Sequence, residues 1–252
     1  MFRVVIPARY GSTRLPGKPL RALAGRPMLA HVHERATRSG ASEVWIATDD
    51  ARIERACQGF GARVVMTDPA HRSGTDRIAE VARRLRWADA DIVVNVQGDE
   101  PLIPPAIITQ VAELLEHSSW AGIATLATPI ESADEFHDVN VVKVVATAQG
   151  RALYFSRAPI PWPRDAAATG GSGGAASYQG ARRHLGLYAY RVKVLTQLAA
   201  LAPTSLEELE KLEQLRALEN GLQIAVATAS EPPGRGVDTE TDLEAVARLL
   251  AT

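Results

Sequence analysis

Three β-branched residues, Val4-Val5-Ile6, run directly into Pro7-Ala8-Arg9-Tyr10-Gly11-Ser12-Thr13-Arg14-Leu15-Pro16-Gly17-Lys18-Pro19, and this junction restricts the fold more than any other stretch. The apolar run suits a buried strand. Pro7, Gly11, Pro16, Gly17 and Pro19 then deny helix and ladder pairing to about a dozen residues, so a loop must leave the strand's carboxyl end. Arg9, Arg14 and Lys18, set among the hydroxyls of Ser12 and Thr13, suit that loop to a polyanion, because charge-assisted hydrogen bonds to phosphate are the strong kind.

Counting excludes two common phosphate motifs. Five residues separate Gly11 from Gly17, and Pro19 follows Lys18, whereas a P-loop needs four residues there and a Ser or Thr after the lysine to hold magnesium. The Gly-x-Gly-x-x-Gly fingerprint of dinucleotide sites is also absent.

With 252 residues and 46% hydrophobic content, the chain can bury its core as one domain, with a subsidiary lobe expected around residues 130–220. A formal net charge of −1 gives no general attraction to nucleic acid or anionic membrane, so an anion site must come from local clustering. Cys57 is the only cysteine, and no N-terminal apolar segment reaches signal-peptide or spanning length; a cytoplasmic protein is expected. His31 and His33 lie two apart on a predicted helix and point in different directions, which argues against a zinc site.

Along the chain, Pro27 opens a helix with Met28, Leu29, Val32 and Ala36 at helical spacing, and Gly40 closes it. Strands are expected at 43–48 and 62–66, with a helix between them capped by Asp49. This alternation implies a parallel sheet covered on both faces, with ligands outside the carboxyl ends of its strands. His71-Arg72-Ser73-Gly74-Thr75-Asp76-Arg77 can begin the next helix, with Ser73 or Thr75 as cap. Residues 91–96 form an apolar run ending in Gln97-Gly98-Asp99-Glu100-Pro101, which sets carboxylates at a strand end. Asp99 beside a phosphate loop suits magnesium better than any histidine here, although the same residue could simply close a turn.

A helix over 104–117 is followed by strand-like runs at 122–128, 139–147 and 152–155, which read as antiparallel additions to the sheet. The Ala- and Gly-dominated stretch 166–177 reads as a mobile excursion. In the strand 182–190, His184, Gly186 and Tyr188 share one face. Ser205-Leu206-Glu207-Glu208 has capping-box spacing and predicts one helix to about Asn220. Leu222 to Thr228 reads as a strand, and Asp238 precedes the closing helix, as its cap or as something more.

Residues 7–20 as a block resemble the nucleotide-binding signature of the sugar-acid cytidylyltransferases, most closely those acting on 3-deoxy-manno-octulosonate. The similarity continues through Asn95-Val96-Gln97-Gly98-Asp99-Glu100-Pro101, Leu153-Tyr154-Phe155-Ser156-Arg157, Arg183-His184-Leu185-Gly186-Leu187-Tyr188, Leu212-Glu213-Gln214-Leu215-Arg216 and Gly236-Val237-Asp238-Thr239. It implies an α/β Rossmann-like nucleotidyltransferase fold, mostly parallel with helices on both faces and a smaller antiparallel lobe. It implies CTP contacts from Pro7, Ala8, Arg9, Ser12, Arg14, Lys18, Ser73, Thr75 and Arg77, and sugar-acid contacts from Gln97, Arg157, His184, Tyr188, Glu213 and Gln214. Magnesium would be held by Asp99 and Asp238, with Lys18 and Arg9 beside them as catalytic cations. The activity implied is CMP transfer from CTP to 3-deoxy-manno-octulosonate in lipopolysaccharide precursor synthesis, by a homodimer with no nucleic-acid or membrane partner. Two rivals stay open: a synthetase for another acid such as a sialic acid, and a noncatalytic CTP-binding regulator.

Overall fold

Val4, Val5 and Ile6 are fully buried, and they divide between two apolar layers: Val4 and Ile6 pack on one face of a sheet, Val5 on the other. That is what a continuous β-branched run does when both faces of its strand are covered. The computed structural model describes residues 1–11, 15–164 and 178–250. The first strand, β1 (Phe2–Pro7), is followed by a small antiparallel pair, β2 (Ala22–Leu23) and β3 (Arg26–Pro27), and by α1 (Met28–Thr37). β4 (Glu43–Thr48), α2 (Ala51–Gly59), β5 (Arg63–Met66), α3 (Gly74–Arg84), β6 (Ile92–Asn95) and α4 (Pro105–His117) continue the alternation. Next come β7 (Ile123–Pro129), α5 (Ala133–His137), β8 (Lys143–Ala146), β9 (Ala152–Ser156), β10 (Arg182–Arg191) and α6 (Val192–Ala200). The chain closes with α7 (Ser205–Glu210), α8 (Gln214–Glu219), β11 (Ile224–Thr228) and α9 (Glu240–Leu250).

The main sheet runs β11-β7-β10-β6-β1-β4-β5, and a hairpin of β8 and β9 attaches to β10. β6, β1, β4 and β5 are mutually parallel, while β10 lies antiparallel between β6 and β7. The expected mostly parallel sheet with an antiparallel extension is therefore present. Helices α1, α2 and α4 cover one face through Leu29, Ile53 and Ile108, among others; α3 and α6 cover the other through Ile78, Val81 and Leu195. A third cluster, of Leu15, Leu23, Met28, Val237, Leu243 and Val246, packs α9 onto the far side of the first loop.

Three local expectations need correction. Asp50, not Asp49, caps α2, accepting the Arg52 N–H at 2.8 Å; Asp49 instead takes the Arg77 guanidinium at 2.7 Å. The single helix expected over 205–220 is broken at Lys211, whose φ of 53° is left-handed. Its cap is Thr204, one residue earlier than expected, with the Thr204 N–H donating to Glu207. The break has a use for the lobe: the Glu210 carboxylate accepts the Ser156 hydroxyl at 2.6 Å and the Arg157 N–H at 2.9 Å, and the Glu210 carbonyl accepts Arg157 Nε at 2.7 Å. Third, the strand expected over 139–147 pairs only from Lys143 to Ala146. Lys143 is fully buried and donates to the carbonyls of Asp138, Val141 and Arg157, so the preceding residues wrap around its ammonium instead of extending the ladder. The stretch 166–177, expected to be mobile, lies outside the described residues, as do Ser12, Thr13 and Arg14.

Candidate active site

The loops leaving the carboxyl ends of β1, β4 and β6 surround a cavity of about 820 Å³. Pro7, Ala8, Arg9 and Lys18 line it from the first loop, Ser73, Gly74 and Arg77 from the start of α3, and Gln97, Gly98 and Asp99 from the end of β6. A side chain at Gly98 would meet the Pro7 carbonyl at 3.1 Å, so glycine is what lets the β6 loop lie against the β1 loop. Ser73 caps α3 in a reciprocal box with Asp76, both bonds 3.1 Å, which turns the helix start toward the cavity. Arg77 lines the same wall, but Thr67 and Asp49 each hold one of its terminal nitrogens at 2.7 Å. It therefore anchors the wall as well as charging it.

Lys18 is the centre of the arrangement. Its Nζ lies 2.6 Å from Asp99 Oδ2 and 2.9 Å from Asp238 Oδ1. Burial alone would lower the lysine pKa, but the two carboxylates outweigh it and the value is raised, so the ammonium stays charged. Asp238 is delivered by backbone pairing, because the Val237 N–H donates to the Asp99 carbonyl at 2.9 Å. It is not the cap of α9. Thr239 and Asp242 fill that role reciprocally, Thr239 Oγ1 accepting the Asp242 N–H at 3.2 Å and Asp242 Oδ2 accepting the Thr239 N–H at 3.1 Å.

A second cavity, of about 530 Å³, shares Gln97, Asp99 and Asp238 with the first and is lined further by Glu100, Arg183, His184 and Gly186. Gln97 Nε2 donates to the Gly186 carbonyl at 3.4 Å. A bulge in β10 between Leu185 and Tyr188 keeps His184 and Tyr188 on one face, as expected, with ring centroids 5.3 Å apart. The His184 ring also meets Phe155 edge-on, and its Nε2 lies 3.0 Å from Thr125 Oγ1. Burial pushes its pKa down to about 3, so the imidazole is neutral.

Tyr188 Oη, Glu213 Oε1 and Gln214 Nε2 are buried with no hydrogen-bond partner among the described residues. Three such groups in one sequence-predicted set are costly unless a ligand satisfies them. Five assignments are placed differently from expectation: Tyr188, Glu213 and Gln214 line neither cavity, and Thr75 and Arg157 turn to protein partners. Thr75 does not line the first cavity; it is buried, and its hydroxyl donates to Glu213 Oε2 at 2.8 Å. Arg157 lines neither cavity, and its Nε and Nη1 donate to the carbonyls of Glu210 and Val139.

Tyr10, Arg52 and Glu100 also line the cavities, with no role expected of them from the sequence. Tyr10 and Arg52 stack at the cavity rim, the guanidinium 3.4 Å from the ring centroid. Tyr10 lay inside the first motif; no periodicity marks Arg52. Glu100 stood in the quoted β6 motif without a role, and its pKa is raised to about 7 by burial and then by Asp99 and Asp238.

The family model described as Cytidylyltransferase matches residues 3–224. A 3-deoxy-manno-octulosonate cytidylyltransferase from Thioalkalivibrio sulfidiphilus is 59% identical over 249 residues, covering 99% of this chain and 98% of that protein. Another from Halorhodospira halophila is 57% identical, covering 99% and 96%. A solved CMP:2-keto-3-deoxy-manno-octonic acid synthetase, complexed with CTP, superposes with a TM-score of 0.88 at 42% identity, covering 100% of this chain and 99% of that one. A cytidylyltransferase from Leptospira borgpetersenii, 18% identical with a TM-score of 0.63, shares the fold. The basic loop after β1, the aspartate pair at the sheet edge and near-full-length identity of this order all lead to one assignment: the chain belongs to the cytidylyltransferase family.

Proposed function

We propose that this chain transfers CMP from CTP to the anomeric hydroxyl of 3-deoxy-manno-octulosonate and releases pyrophosphate, supplying the activated sugar for lipopolysaccharide synthesis. The observation that carries this reading is the meeting of Lys18, Asp99 and Asp238 at one point between the two cavities. The triphosphate fits the basic first loop, the sugar acid the polar groups of β10 and α8. The bond from the sugar oxygen to the α-phosphorus forms as the bond from that phosphorus to the α,β-bridging oxygen breaks, the bridging oxygen leaving with pyrophosphate and the hydroxyl proton passing to solvent. Direct displacement needs no protein nucleophile, and the one cysteine, Cys57, is buried with its thiol pKa pushed up to about 12. Arg9 and Lys18, from the first loop, are cations available to the developing phosphate charge.

The residues fit magnesium. Two carboxylate oxygens from different loops already converge on one cationic centre, and among the described residues no cluster of three or more metal-ligating side chains competes with them. A hard cation that keeps waters and takes phosphate oxygens wants one or two carboxylates, so Asp99 and Asp238 would hold it. When bound, it would polarise the α-phosphate and lower the pKa of the sugar hydroxyl.

A homodimer is part of the same reading. Of the seven large exposed apolar side chains among the described residues, Val139, Leu153, Trp162 and Leu209 belong to the lobe, where a second copy would cover them. No helix among the described residues is long and apolar enough to cross a membrane; a cytoplasmic location is proposed. The test is pyrophosphate release from CTP and magnesium with a panel of sugar acids. Release with 3-deoxy-manno-octulosonate well above that with a sialic acid is expected; release with the sialic acid alone, or with none, would sink the assignment.

A further inference from the structure

Thr75 is the second residue of α3, yet its side chain faces away from the nucleotide cavity. It is 2% exposed, and its hydroxyl donates to Glu213 Oε2 at 2.8 Å across 138 positions of sequence. The other oxygen of that carboxylate, Oε1, is buried without a hydrogen-bond partner among the described residues, as are Tyr188 Oη and Gln214 Nε2. Arg216 stands nearby with Nη2 3.8 Å from Oε1, outside hydrogen-bond reach, because Glu207 holds its guanidinium, accepting from Nε at 2.8 Å. Glu213 is therefore hydrogen-bonded to Thr75 through Oε2, while Oε1 makes only a long ion pair with Arg216.

We infer that Thr75 is a positioning residue for the sugar acid, acting through Glu213, and not a nucleotide contact. This rests on the proposed substrate. With Oε2 tied to Thr75, rotation of the carboxylate is blocked and the Oε1 lone pairs stay available to a sugar hydroxyl. Without the tie, the carboxylate is free to turn Oε1 onto Nη2 of Arg216, 3.8 Å away, even though Glu207 already holds the two-point face of that guanidinium. Oε1 would then be spent on the protein. Thr75 also joins the segment carrying Ser73 and Arg77 on the nucleotide side to the helix carrying Glu213 and Gln214, so the two substrate sites share one hydrogen bond.

The experiment measures KM for each substrate and kcat in wild type, Thr75→Val, Thr75→Ser, Glu213→Gln and the Thr75→Val/Glu213→Gln double variant, with a melting curve for each. Thr75→Val keeps shape and removes the donor. It should lower kcat/KM for the sugar acid about tenfold while KM for CTP stays within about twofold, and Thr75→Ser should restore most of the loss. The double variant should be no worse than Glu213→Gln alone. If Thr75→Val does not fold, Thr75→Ala takes its place in the cycle. A matching rise in KM for CTP, additive losses in the double variant, or unchanged sugar kinetics would each overturn the role of Thr75. Wild type that consumes no sugar acid overturns the substrate reading instead, and that result is read before any variant.

Discussion

Lys18 and Asp238 are 220 positions apart and meet at 2.9 Å, with Asp99 on the other side of the same ammonium at 2.6 Å. The lysine keeps two carboxylates together that would otherwise repel. Lys18→Met should weaken CTP binding more than sugar binding and raise the transition-state barrier by about 2–4 kcal/mol. Steady-state kinetics on the folded variant decide it, and unchanged turnover and CTP affinity would remove Lys18 from the mechanism.

Asp99→Asn and Asp238→Asn should each reduce turnover about a hundredfold, roughly 2.7 kcal/mol, with losses less than additive in the double variant. The shared contact with Lys18 is the reason to expect non-additivity. A magnesium titration separates binding from chemistry. Near-normal turnover of folded Asp238→Asn at every magnesium concentration would leave Asp99 as the one protein ligand.

Arg157→Lys retains charge but cannot reproduce the fork that reaches both the Glu210 and Val139 carbonyls. The expected result is poorer use of the sugar acid with CTP affinity spared, together with faster amide exchange in β8 and β9. Loss of CTP affinity with normal sugar affinity would place Arg157 on the nucleotide instead.

His184 gives the pH prediction. Its folded pKa, about 3, lies below the ordinary histidine value, so the folded state binds fewer protons than the unfolded chain as pH falls below about 6.5. The stability associated with the neutral ring is present above that pH and is lost as pH falls toward 3. His184→Gln should therefore lose less stability than wild type over that interval, the difference growing by at most about 1.4 kcal/mol per pH unit. Parallel urea melts at pH 7 and pH 4.5 measure it; identical slopes would mean that the ring is protonated in the fold.

The sheet was legible because its strands announce themselves by two-sided apolar runs, as at Val4 to Ile6 and Ile92 to Asn95, and its helices by spacing. The loop after β1 was legible from its prolines and glycines; its reading as an anion loop needed Arg9, Arg14 and Lys18, and as a nucleotide loop the family resemblance. What escaped were the choices made by tertiary contacts: nothing local distinguishes Asp49 from Asp50 as a cap until Arg77 claims one of them. The break at Lys211 was hidden for the same reason, since capping and spacing both favour a continuous helix, and only Glu210's bonds to Ser156 and Arg157 show what the interruption serves. Thr75 illustrates the remaining gap. Its place in a helix-start segment says that it lies near a ligand edge, but which way the hydroxyl turns depends on a residue 138 positions later.

The packing of α9 against Leu15, Leu23 and Met28 sets an order of events in biosynthesis. As the chain leaves the ribosome, every strand of the sheet is present by Thr228, and the segment matching the family model ends at residue 224. A nascent chain stalled there has the basic loop and Asp99, but neither the Asp238 carboxylate nor the helix that covers Leu15. The sheet can form first, while the site is completed only by Asp238 and α9, which follow its last strand in the chain.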